Sequence, residues 1–180
     1  MPDAPADTAA EVPRRWRPTR IVLAVVVAAM VAMWGYVLYL AIGPGRQDPP
    51  DRLEDPTFAP AAEARCRQAL DQVAALPRAA ETESPQARAE VILEANDAYA
   101  AMLRDLVVLA PEGEEGDIVA AWVTDWRTYL DDRAAYAEAL RDDPEARFFV
   151  SAKDNEQITE FIDAFAADNR IPACGTPLDV

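Results

Sequence analysis

The 180-residue chain contains no histidine. That absence removes the usual general base, the usual zinc ligand and the nucleophile–imidazole pairs of serine and cysteine hydrolases. Lysine is nearly missing too. Lys153 stands alone among 17 basic residues, and the excess of Arg, Ala and Pro reads as the codon bias of a GC-rich genome. The two cysteines, Cys66 and Cys174, form no Cys-x-x-Cys redox motif. Neither a Gly-x-x-x-x-Gly-Lys phosphate loop nor a Gly-x-Gly-x-x-Gly turn occurs, so ATP-driven and dinucleotide chemistry lack their signatures. Ser151 and Lys153 make at most a Ser–Lys pair in an exposed loop, where the lysine stays solvated and protonated. Adjacent acids such as Asp131 and Asp132, or Asp142 and Asp143, point about 100° apart on a helix and solvate separately. The expectation is a protein that is not an enzyme and holds no cofactor and no metal.

Positive charge is short as well: 32 acidic residues face 17 basic ones, a net charge of −15. Residues 1–20 hold three acids and four arginines, which leaves 29 acids and 13 bases beyond them, a net −16. A surface of that sign argues against nucleic acid, which needs clustered Lys and Arg to displace counterions. It also disfavours lying flat on anionic lipid. The acidic turn at 112–117 lacks the ligand spacing of a calcium-binding helix–loop–helix. Its carboxylates suit the positive N-terminus of a following helix.

Against these shortages stands one long apolar run. Residues 21–42 carry no charge, no proline and no strongly polar side chain. A helix over them is about 33 Å long at ~1.5 Å per residue, enough for a hydrocarbon core of roughly 30 Å. No water there satisfies backbone N–H and C=O groups, so an unbroken helix is the single-segment solution. The run exceeds the apolar region of a cleavable signal and ends at Gly43, Pro44 and Gly45, with no Ala-x-Ala site. It is therefore expected to be a retained transmembrane anchor. Trp16 near one end and Trp34, Tyr36 and Tyr39 near the other suit the two interfaces. Arg14, Arg15, Arg17 and Arg20 outnumber Arg46 and Arg52, an asymmetry that keeps the tail 1–20 cytoplasmic and exports the remainder. That tail, rich in Ala, Pro and Asp, is expected to be disordered. Ala24, Ala28 and Ala32 recur every four residues, a weak small-residue stripe through which two anchors would pack as a homodimer.

Residues 43–60, with Pro44, Pro49, Pro50, Pro56 and Pro60, read as an extended linker. The extracytoplasmic domain at 61–180 is then all-α, an antiparallel bundle of about four helices. The first runs over 61–76, with Cys66 on its apolar stripe. Ser84 and Pro85 cap the second, in which Ile92, Ala95, Tyr99, Met102, Leu106 and Leu109 form a seam that stops before Pro111. The third, over about 117–142, carries Trp122, Trp126, Tyr129, Tyr136 and Leu140 on one face with Arg133 inside it. A guanidinium there must pair with a carboxylate, stack on a ring or reach water along its stem. Residues 147–150 form one extended covering segment. Asp154 and Gln157 look like a capping box that opens a fourth helix.

Cys66 and Cys174, both on the oxidising side, are expected to form one disulfide. Asp125-Trp126, Tyr129-Leu130 and Asp132-Arg133, with Ile158-Thr159, Ile162-Asp163, Phe165-Ala166 and residues 174–180, resemble a group of single-pass membrane proteins of high-GC actinobacteria. That resemblance implies a source and an exported address, and no catalytic residue. The function expected is a non-enzymatic interaction or scaffold module of the bacterial cell envelope, with an envelope protein as partner. The alternative is a small-ligand domain with a pocket between helices lined by Tyr99, Trp122, Trp126, Tyr129 and Arg133.

Overall fold

A computed structural model describes residues 18–42 and 49–179. The tail expected over 1–20 and the first part of the linker, 43–48, lie largely outside them. The chain divides into two units, Met1–Asp48 and Pro49–Val180.

The first unit contains helix α1, Pro18–Ile42. Its Arg20–Ile42 stretch is long and apolar enough to cross a membrane, and none of its most apolar window is buried within the chain itself. From Ile21 onward it is apolar on every side.

The second unit is a helical bundle: α2 (Phe58–Ala74), α3 (Pro85–Leu109), α4 (Glu114–Asp142) and α5 (Ile158–Asp168). Only four residues join α3 to α4, and the two pack together along their length, so they run antiparallel. α2 lies on α3 and α5 on α4. Ser84 caps α3 as its sequence suggests, its hydroxyl accepting the Ala87 N–H at 3.1 Å ahead of Pro85. Such a cap is worth about 1 kcal/mol. The heptad seam is buried at Ile92, Ala95, Tyr99, Met102 and Leu106. From Ala95 to Leu106 it shares a core with Val119, Val123, Trp126 and Leu130 of α4, while Ile92 joins a second cluster with Tyr136, Ala137 and Leu140.

The acidic turn has a structural job. Gly113 takes a positive φ of 76°, and a Cβ on Gly116 would sit 2.2 Å from the Pro111 carbonyl oxygen. Both positions require glycine. Glu114, Glu115 and Asp117 occupy the first turn of α4, where the helix dipole favours them. Among the described residues no group of three acidic, Cys or His side chains is arranged to hold a metal.

Two expectations change. Residues 49–60 are part of the domain and not of a spacer. Asn169 accepts the Leu53 N–H at 2.8 Å and donates to the Asp51 carbonyl at 3.0 Å, while Glu115 accepts the Glu54 N–H at 2.7 Å. Pro60 falls in the first turn of α2, where its missing N–H is not needed. Second, Asp154 and Gln157 make no capping box. Asp154 and Asn155 both adopt positive φ, 52° and 69°, and form the two-residue turn of a short hairpin, Ala152–Lys153 with Glu156–Gln157. Asp and Asn tolerate the left-handed region that such a turn demands. The preceding extended stretch covers the bundle as expected: Phe148 packs against Tyr129 and Tyr136 at 6.0 and 5.6 Å, and Phe149 faces out, 76% exposed.

The Cys66–Cys174 disulfide is present, between two fully buried cysteines 108 residues apart. It joins α2 to the short 3₁₀ turn Pro172–Cys174. Closing so long a loop limits the unfolded chain, a contribution of at most about 4–5 kcal/mol in the chain-entropy model. Reducing the bond, or the paired change Cys66→Ala with Cys174→Ala, is expected to lower the denaturation midpoint by a matching amount. An unchanged midpoint by circular dichroism would show that the segment after α5 is held without it.

Candidate functional site

Four side chains on the inner face of α4 donate to acceptors outside that helix. Trp122 donates its indole N–H to the Ile162 carbonyl at 3.2 Å and stacks on Phe165 with 4.6 Å between centroids. Trp126 donates to the Cys174 carbonyl at 3.2 Å, and Tyr129 donates its hydroxyl to the Pro177 carbonyl at 3.2 Å. One further turn along, Arg133 reaches Asp179. The rings supply the buried area, and their polar tips hold residues 171–179 against the bundle.

Arg133 is the centre of this arrangement. Its side chain is 0% exposed. Nη1 and Nη2 donate to the two carboxylate oxygens of Asp179 at 2.5 and 3.0 Å, and Nε donates to Asn96 Oδ1 at 2.6 Å. Asn96 in turn donates to the Leu130 carbonyl at 3.0 Å, which pins α3 to α4. The guanidinium carbon also lies 5.4 Å from the Tyr99 ring and 5.7 Å from the Tyr129 ring. Burial pulls the guanidinium pKa down, but Asp179 and, after it, Tyr129 together offset it, and the net shift is upward. Pairing, stacking and polar satisfaction thus occur together.

Of the five residues expected to line a pocket, Tyr99, Trp126, Tyr129 and Arg133 come together, with Tyr99 to Trp126 at 5.8 Å and Trp126 to Tyr129 at 5.8 Å. Trp122 lies apart, against α5. Tyr99 and Trp122 border two separate openings, while Trp126, Tyr129 and Arg133 are buried. A groove of about 510 Å³ does open next to them, between α2 and α3. Its walls include Leu70, Val73, Val91 and Ile92, and Tyr99 and Asp179 border it. Asn96 and Asp179 are the participants that sequence reasoning missed. Asn96 sits four residues after Ile92 and three before Tyr99, so a polar residue inside the apolar stripe was the available signal. Asp179, 46 residues from Arg133, left none.

The hairpin residues are equally committed. Ser151 donates its hydroxyl to Asp132 at 2.7 Å. Lys153 pairs with Asp125 at 2.8 Å and lies over the Phe161 ring at 4.8 Å. Ser151 and Lys153 are thus bonded to two different carboxylates of α4, not to each other as a Ser–Lys dyad requires.

Two measurements probe this centre. Asp179→Ala orphans a buried guanidinium and is expected to cost up to about 3–5 kcal/mol, less whatever water entering from the groove restores. The double change Arg133→Met with Asp179→Ala removes the orphaned charge and is expected to recover part of that loss in chemical denaturation; a double variant no more stable than the single would refute the assignment. The second concerns the phenols. Burial, reinforced by Asp179 and opposed by Arg133, raises the Tyr99 pKa well above its ordinary 10.0, and burial raises that of Tyr129 against the opposing Arg133. A raised folded pKa means stability that is complete below about pH 10 and is lost as pH climbs above it. Tyrosinate absorbance should therefore show these two hydroxyls withheld until the domain unfolds at alkaline pH. No protein-family model, no curated protein and no solved structure matches this chain.

Proposed function

We propose that this is a single-pass membrane protein whose acidic helical domain stands on the extracytoplasmic side of a bacterial envelope and acts there by binding, as an interaction or scaffold module. The observation that carries the address is the buried Cys66–Cys174 bond. Disulfides of this kind persist in oxidising compartments and are rare in the cytosol. The apolar helix α1 and the arginines on its N-terminal flank support the same orientation. Support for a binding role comes from the side chains available for chemistry. Ser151 is bonded to Asp132, Lys153 is paired with Asp125, and Arg133 is paired with Asp179. The acidic surface favours a basic protein partner, and steering by such a field strengthens as salt falls. An anchor homodimer through Ala24, Ala28 and Ala32 and a source among high-GC actinobacteria belong to the same proposal; the repeating alanines and the arginine-rich composition are what support them.

A second reading, a small-ligand domain, is favoured by the groove of about 510 Å³ between α2 and α3, a volume within the ~300–1,000 Å³ typical of small-molecule sites.

The address is tested with a maleimide that cannot enter cells, applied to intact cells after reduction and denaturation from outside. Cys66 and Cys174 are expected to be labelled. Labelling only by a reagent delivered to the cytosol would invert the topology and remove the envelope role with it.

A further inference from the structure

Building on the small-ligand reading, we propose that Arg133 is a carboxylate-binding site occupied in cis by Asp179, and that the ligand it serves is an amphiphile with one carboxylate and an apolar tail. The tail would lie in the groove between α2 and α3.

The guanidinium is built for a carboxylate. It is fully buried, Asn96 fixes its Nε, and Tyr99 and Tyr129 stand beside it. The two remaining nitrogens present the parallel pair of donors that a carboxylate accepts bidentately. The present occupant fills only part of such a site. Beyond Cys174, residues 175–179 are tied by Tyr129 to the Pro177 carbonyl, by exposed Thr176 bonds to Asp163, and by Asp179, which accepts from Arg133 and, at 3.4 Å, from the Tyr99 hydroxyl. Leu178, beside the apolar groove, is fully exposed. The segment therefore supplies a head group and leaves the apolar half of the site unfilled.

Asp179 is also the one carboxylate that both caps Arg133 and borders the groove. An incoming carboxylate that takes its place has its tail directed along Leu70, Val73, Val91 and Ile92. Exchange of one carboxylate for another leaves the buried charge paired throughout, so no desolvation cost is added at Arg133. The surrounding acidic surface repels anions in general. Affinity must then come from the apolar tail, which selects a single-charge amphiphile over a small polyanion.

Occupancy in cis also makes Asp179 a competitor. A side chain on a short tether acts at an effective concentration on the order of millimolar, so its removal is expected to tighten binding at least ~10-fold.

The test titrates octanoate, and separately octanol, into the full chain in lipid nanodiscs, with empty nanodiscs as reference. Asp179→Ala is expected to bind octanoate at least ~10-fold tighter than the unmodified chain, with no such gain for octanol. Asp179→Asn, which keeps the shape of the segment, gives the same comparison should the alanine variant unfold. Val73→Trp, which fills the groove, is expected to abolish binding of both probes. Equal octanoate affinity with and without Asp179, or an equal gain for octanol, overturns the carboxylate site and leaves a groove ligand standing. Binding of neither probe to any variant overturns the ligand reading as well.

Discussion

A guanidinium taken out of water needs an anion beside it, and in this domain the anion arrives from 46 residues away. Arg133 lies on the aromatic inner face of α4, the longest of the described helices, where it is 0% exposed. The nearest solution is Asp179, carried in by the segment that follows α5. Asn96 takes the third nitrogen and returns a bond to the backbone of α4. One buried charge thereby couples α3, α4 and the segment after α5, and the local order of each depends on the other two.

The rest of the closure repeats this logic with neutral groups. Trp126 and Tyr129 hold carbonyls of residues 174 and 177, and the disulfide ties Cys174 to α2. At the same end, Asn169 receives the entry segment at residues 51 and 53. The beginning and the end of the domain therefore converge near the C-terminus of α5. An irregular stretch of chain is kept in place because its backbone groups find side-chain partners, where a strand would find them in a sheet.

This closure also bears on how the domain can bind. The aromatic residues that invite a ligand-binding reading are consumed by packing. The groove lies one helix over, along α2 and α3, and Tyr99, Pro177 and Asp179 connect the two regions. A filled core beside an apolar groove, joined by one ion pair, is an arrangement in which binding at the groove and order in residues 175–179 compete for the same guanidinium.

Much of this was legible in the residues. The apolar run, the four-helix count, the Ser84 cap, the seam of α3 and the aromatic face of α4 follow from local periodicity and from side-chain chemistry at helix ends, which act within a turn or two. The cysteine pairing followed from there being only two. The hairpin at 152–157 was missed because Asp154 and Asn155 serve a left-handed turn as readily as a helix cap, and the docking of residues 49–60 was missed because prolines there signal an extended chain whether or not side chains receive it. By itself, then, the sequence determined which segments are helical, which faces are apolar and that Arg133, inside one of them, needed a carboxylate, a ring or a path to water. Only the tertiary structure decided that Asp179 supplies it and that the groove opens beside Tyr99, because pairing across 46 residues depends on where the chain returns in space.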